Sequence, residues 1–230
     1  MSVLLGQTAP LIDWDWVGRN LDTIWARTVE HLTLTGIALV VGMLVSIALA
    51  ALAMWKPKTY PPITSVTGLL YTIPSLAVFA LVAPFIGIGT VPQKYLTAEV
   101  ALVGYTLLIL VRNIVTGIKG VPSGVKEAAT GMGYREAGRL ARIEFPLAVP
   151  VIMAGVRIAT VTVVGLVTVT SLIGLGGLGF FILDGLRRSI IFPTEIIVGV
   201  ALSVILAATL DFFLLAVGRA LTPWARRGSG

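Results

Sequence analysis

No cysteine occurs in the 230 residues, and the only histidine is His31. Disulfides, thiol catalysis and cysteine metal sites are therefore excluded, while the redox compartment stays open. His31 has no second ligand or nucleophile near it in the sequence, cannot form a histidine dyad, and reads as a residue at a membrane entrance. Charge is scarce too: 12% of residues are charged against 57% hydrophobic, with a mean hydropathy of +0.97. A water-soluble domain of this size must wet its exterior and could not hide so much apolar surface. There is no G-x-x-x-x-G-K-[ST] run, so the chain lacks the usual loop for cradling nucleotide phosphates, and no H-E-x-x-H for zinc chemistry. No Lys or Arg precedes Arg19, while Asp13 and Asp15 do, which is unlike a cleavable signal peptide.

What is present is a series of long apolar runs. Crossing a hydrocarbon core of about 30 Å takes roughly 20 helical residues. The pattern predicts an all-α, polytopic membrane protein with helices at about 32–55, 62–83, 97–117, 148–171 and 196–218. Residues 1–31 precede this transmembrane part (32–219) as an external or interfacial segment, with Trp14, Trp16 and Trp25 among charges, and 220–230 form a short tail. The second helix contains Pro74, expected either to kink it or to interrupt it and open backbone carbonyls to a cavity.

Five crossings place the termini on opposite sides, and basic residues decide which is which. With the N-terminus outside, Lys56, Lys58, Arg112, Lys119, Lys126, Arg135, Arg139, Arg142, Arg219, Arg226 and Arg227 face the cytoplasm. Only Arg19, Arg27, Lys94, Arg187 and Arg188 face out. Cytoplasmic loops collect Lys and Arg, which favours N-terminus outside and C-terminus inside. The same rule accounts for the net charge of +6 without invoking nucleic acid.

The polar segment 120–146 lies on the predicted cytoplasmic side. It reads as two short helices, the first capped by Ser123, joined where Gly131 and Gly133 relax the backbone. The second, from Tyr134 to Phe145, sets Ala137, Leu140 and Ile143 on one face and Arg135, Arg139 and Arg142 on others. Pro146 is expected to end that helix and start the fourth crossing.

Lys126-Glu127-Ala128-Ala129-Thr130-Gly131-Met132-Gly133, with Ile143-Glu144-Phe145-Pro146 after it, resembles the cytoplasmic "EAA loop" of permease subunits of binding-protein-dependent ABC importers. One departure is Phe145, where that pattern usually has Leu. Thr72 to Ala77, Gly87-Ile88-Gly89, Arg112-Asn113, Pro150 to Gly155 and Leu172 to Gly179 look like the osmoprotectant branch, which moves glycine betaine, choline, carnitine or related quaternary amines. The resemblance implies a MetI-like, type I importer permease in the bacterial cytoplasmic membrane. It also implies three partners: a separate ABC ATP-binding subunit carrying the ATP and Mg, an extracytoplasmic substrate-binding protein, and a second permease subunit, identical or not. No cofactor is expected on this chain itself. Glu127, Ala128, Ala129 and Gly133 would form the core docked by the ATPase, with Arg135 and Arg139 at its margin.

Two further features stand out. Gly174, Gly176 and Gly179 spell G-x-G-x-x-G, but a membrane helix precedes them and an apolar run follows, so a flexible turn at the mouth of the pathway is expected rather than a dinucleotide site. Asp211, about 12 Å inside the fifth crossing, and Arg157, within the fourth, are costly in a bilayer and are expected to pair or to line the route. Rival readings are a permease for methionine or another small polar solute, an intramembrane enzyme, and an ion-coupled carrier, which would show inverted repeats.

Overall fold

The computed structural model describes residues 11–188 and 192–226; the first ten residues and the last four of the expected tail lie outside them. The described residues are helical and contain no strand, as the apolar runs require, since a helix satisfies its own backbone where no water can. A short α1 (Trp14–Arg19) is capped by Asp13, whose side chain accepts from the Trp16 amide at 2.9 Å. Then come α2 (Leu21–Trp55), α3 (Tyr60–Thr72), α4 (Ser75–Ile86), α5 (Val91–Lys119), α6 (Ser123–Gly131), α7 (Glu136–Arg139), α8 (Phe145–Val167), α9 (Gly179–Arg187) and α10 (Pro193–Leu221).

The first helix differs from expectation. It starts at Leu21 rather than residue 32 and runs unbroken for 35 residues, so Trp25 and His31 belong to it instead of to a separate leading segment. Between Leu21 and Trp55 no proline interrupts it, and polar residues in its first turns do not stop a helix that packs on its neighbours.

Pro74 does more than kink the second crossing. It separates α3 from α4, which meet at a 104° bend. Ile73 is extended, as a residue before proline tends to be, and Pro74 becomes the N-cap of α4. The carbonyl released at Ile73 is taken by the Tyr105 hydroxyl, not left open to a cavity.

Four helices are long and apolar enough to cross a membrane, and the α3–α4 pair makes a fifth span. Register supports counting it. Gly42 of α2 lies against Thr106 of α5, and Glu30 lies beside Tyr95, so α2 and α5 run parallel. A chain leaving one end of α2 must recross the full width before α5 can start at the other. The return is α3 plus α4.

The core follows from that register. One cluster gathers Leu34, Ala38, Phe79, Ala98, Leu102, Val163 and Val167 at one end of the bundle. Another gathers Ala50, Ala53, Val111, Val115, Ala148 and Ile152 at the other. Small residues let the backbones approach: a Cβ at Gly117 would crowd Ala148, and one at Gly155 would strike Asn113. α8 then runs antiparallel to α5, and α10 antiparallel to α8, with Gly218 beside Met153.

Candidate functional site

At the bundle end where α2 and α10 finish, α6 and α7 form an elbow between α5 and α8. Helix α6 begins after Pro122; Ser123 makes no capping hydrogen bond, contrary to expectation. It ends in a glycine turn. Gly133 has φ +86°, the Tyr134 amide donates to the Ala129 carbonyl at 3.2 Å, and the Gly133 amide to Thr130 at 2.9 Å. This paired pattern around a left-handed residue stops a helix while satisfying its last carbonyls. Gly131 is an ordinary helical residue, so the turn needs only one of the two glycines.

The second short helix does not end at Pro146. Residues 136–173 form one continuous helical run, in which α7 passes through a π-helical turn at Leu140–Glu144 into α8. Proline within the first turn of α8 lacks only a donor, and the widened turn absorbs that loss. The elbow is therefore stiffly joined to a membrane helix.

Glu144 holds it closed. The residue is 5% exposed. It accepts from Arg139 Nε at 2.7 Å, and Lys126 Nζ of α6 stands 3.7 Å away. Arg139 Nη1 also donates to Thr130 Oγ1 at 3.1 Å. Arg139 thus takes part in the clasp between α6 and α7, while a quarter of its side chain stays open beside Glu127. Ala129 is not a surface residue; it is 0% exposed and packs inward. Glu127, Ala128, Gly133 and Arg135 are exposed, together with Met132 at 69%. The elbow presents a small-residue and charged face beside one large apolar side chain.

Glu144 escapes sequence reasoning for a geometric reason. Residues five apart on an α-helix point about 140° away from each other at 3.6 residues per turn. The π turn winds more slowly and brings positions 139 and 144 together.

The opposite end of the bundle is locked by His31. It is fully buried, and its Nδ1 accepts from the Leu178 amide at 3.3 Å. The other nitrogen, Nε2, therefore carries the proton and donates to the Val164 carbonyl at 3.0 Å. This is a neutral clamp joining α2, α8 and the glycine-rich loop, not an interfacial side chain. The loop is not a flexible turn either. Residues 175–179 are buried, and a Cβ on Gly177 would come within 2.6 Å of His31 Cβ. A Cβ on Gly179 would land on the Thr168 carbonyl. Nearby, Arg188 pairs with buried Glu195 and with Asp184 at 3.2 Å, pinning α9 to α10. Glu99, which no local sequence pattern singles out, has both carboxylate oxygens buried with no hydrogen-bond partner among the described residues.

Between these ends, Arg157 and Asp211 meet. Arg157 Nε donates to Asp211 Oδ1 and Nη2 to Oδ2, both at 2.7 Å, a two-pronged pair joining α8 to α10. Their side chains keep 32% and 26% of their surface open. They line a groove of about 440 Å³ with Ala154, Ile158, Val161 and Thr162. Pro74 stands apart from that groove.

Comparison with known proteins agrees with this geometry. The profile of one family, described as "binding-protein-dependent transport system inner membrane component", matches residues 24–227. A choline transport system permease protein of Bacillus subtilis is 39% identical over 198 residues, covering 86% of this chain and 88% of that one. A glycine betaine/carnitine/choline transport system permease protein of the same organism is 37% identical, over 88% of this chain and 90% of its own. An osmoprotectant import permease protein of Salmonella typhimurium is 35% identical, over 89% and 94%. Among solved structures, a chain of the methionine ABC transporter MetNI in an inward-facing form superposes with a TM-score of 0.74. The alignment covers 92% of this chain and 100% of that one at 20% identity, a likeness of fold alone.

Proposed function

This chain belongs to the family of binding-protein-dependent transport system inner membrane components, and from that premise we propose that it forms the membrane pathway for osmoprotectant quaternary amines such as glycine betaine or choline. Relatives named for choline, glycine betaine and carnitine transport, similar over nearly their whole length, support that substrate class over methionine, which is named only for a neighbour in fold. An intramembrane enzyme finds no support in the geometry, since His31 is spent on two backbone groups.

The observation that carries the mechanism is the elbow. Helix α6 is tied through Lys126, Glu144 and Arg139 to a segment that continues into α8 without a break. A push on the exposed face of α6 is transmitted to a membrane helix because neither the clasp nor the π turn offers a free joint. In this reading Glu127, Ala128, Gly133 and Arg135 meet a separate ATP-binding subunit, which holds ATP and Mg. Ala129 acts from inside the elbow and Arg139 through its clasp. A substrate-binding protein delivers the solute at the His31 end, and a second permease subunit completes the pathway. The elbow then faces the cytoplasm of a bacterial cell and α1 faces out, as the distribution of Lys and Arg favours.

The test is uptake of radiolabelled glycine betaine and choline by proteoliposomes holding the complete transporter. ATP-dependent accumulation of either supports the reading. Accumulation of methionine in place of both overturns the substrate class.

A further inference from the structure

The groove between α8 and α10 has no part in the elbow, yet it holds an ion pair deep within two spans. Asp211 lies ten residues before Leu221, about 15 Å along the axis, and farther still from Pro193. Ionisable groups at such depth face the bundle interior or a wet cavity, because hydrocarbon does not solvate them. Here a quarter to a third of each side chain is uncovered by its own chain. The face of α8 that carries Ala154, Ile158 and Val161 points away from the core built on Ala148, Ile152, Gly155 and Ala159. One turn farther along this face, Gly165 is exposed with empty space where a Cβ would stand. The groove is thus open along this face of α8, with a charge pair set in it.

The ion pairs at Glu144, Glu195 and Glu30 lie closer to the ends of their helices than Asp211 does to the ends of α10. Glu144 clasps the elbow, Glu195 pins α9 to α10, and Glu30 answers Arg27 within one helix. The Arg157–Asp211 pair alone opens onto a mid-membrane groove, and that groove's volume falls within the roughly 300–1,000 Å³ of small-molecule sites.

We infer that Arg157 and Asp211 form the seat for a zwitterionic solute in the membrane, the Asp211 carboxylate receiving the quaternary ammonium and the Arg157 guanidinium receiving the solute's carboxylate. The inference rests on the substrate class proposed above and adds the site that reads it. A solute bearing one positive and one negative charge exchanges the internal pair for two external ones, so no net charge is added to the groove at any stage. Arg157 offers a planar fork suited to a carboxylate, which a quaternary ammonium cannot use. Ala154, Ile158 and Val161 are apolar and accommodate methyl groups. Choline lacks a carboxylate and leaves the guanidinium unanswered, so the site favours glycine betaine or carnitine over choline.

The decisive experiment compares the wild-type transporter with a double variant, Arg157→Met together with Asp211→Leu, both complete with their partner subunits in proteoliposomes. Apolar side chains of similar volume keep α8 and α10 packed, since replacing both partners strands neither charge, as removing one would. Glycine betaine uptake is expected to fall at least tenfold while the ATP-binding subunit still co-purifies. Uptake at the wild-type rate would show that the pair is only a strut and overturn the inference, with the transport reading intact. Failure of the wild type to carry either solute would instead overturn the transport reading.

Should the double variant not assemble, Ile158→Cys decides the matter, because the chain has no cysteine of its own. Labelling of this chain by a water-soluble thiol reagent is expected to slow at least threefold when glycine betaine is present. No labelling, or labelling unaffected by glycine betaine, overturns the inference.

Discussion

Glu144 and Arg139 meet at 2.7 Å although they stand five positions apart in one helical run, because that run widens into a π turn between them. The contact converts a loop into a lever: it fixes α7 on α8, while Lys126 brings α6 to the same carboxylate. Glu144→Ala would strand two cations around a buried gap. We predict a loss of about 1–3 kcal/mol, the cost of unsatisfied buried partners, read as a lower thermal midpoint. Glycine betaine uptake should fall together with it, whereas Glu144→Gln, which keeps one acceptor, should retain part of both. Wild-type stability and uptake in Glu144→Ala would remove the clasp from the mechanism.

Gly133 sits in the left-handed region, which a β-branched residue enters only under strain of roughly 1–2 kcal/mol. Nothing within 4 Å would obstruct a side chain there, so the penalty is conformational and local to the elbow. Gly133→Val is expected to leave the bundle folded and to uncouple ATP hydrolysis from uptake. Measuring both rates in the same vesicles checks this, and full coupled transport would reject the turn's role.

His31 answers two backbone groups on different elements. His31→Leu removes both contacts and leaves the Leu178 amide and Val164 carbonyl unpaired, a loss expected at about 1–3 kcal/mol or more. His31→Gln, which offers one donor and one acceptor, should recover some of it. Thermal unfolding of the purified complex distinguishes them; equal midpoints for the wild type and His31→Leu would contradict the clamp.

Glycine is required at some positions and idle at others. A methyl group on Gly179 collides with backbone at Thr168, which cannot step aside, while one on Gly165 meets nothing within 4 Å. Gly179→Ala is therefore expected to abolish assembly, and Gly165→Ala to leave stability within about 1 kcal/mol of wild type. Yield and thermal midpoint report the contrast, and the reverse order would mean the loop packs differently.

The absence of native cysteine also makes sidedness measurable. Glu127→Cys should be labelled by an impermeant maleimide only from the cytoplasmic face of oriented vesicles. Leu11→Cys, before α1, should be labelled only from the opposite face. Labelling of position 127 from outside would invert the proposed topology.

Much of the architecture was legible in the chain because membrane helices are governed by local rules. Apolar runs near Leu32–Trp55 and 196–218 are long enough to span, and a helix needs no partner to satisfy its backbone there. Proline and glycine marked the break at Pro74 and the end of α6 for reasons internal to the backbone. The two embedded charges, Arg157 and Asp211, declared themselves by the cost of leaving them alone. What stayed hidden depended on other elements. Ala129 reads as part of a docking face because the segment's own amphipathicity does not reveal which neighbour covers it. His31 read as interfacial because Leu178 and Val164 are 147 and 133 residues away.

By itself, then, the sequence determined that this chain is a polytopic helical membrane protein with a polar elbow between two spans, since hydrophobic length, charge bias and backbone breakers act within a few turns. Tertiary structure alone decided which polar groups are spent on holding the bundle and which remain open. That choice rests on helix register, on the π turn that rotates Glu144 onto Arg139, and on glycines that let backbones touch. Each depends on distances between residues that no local pattern encodes.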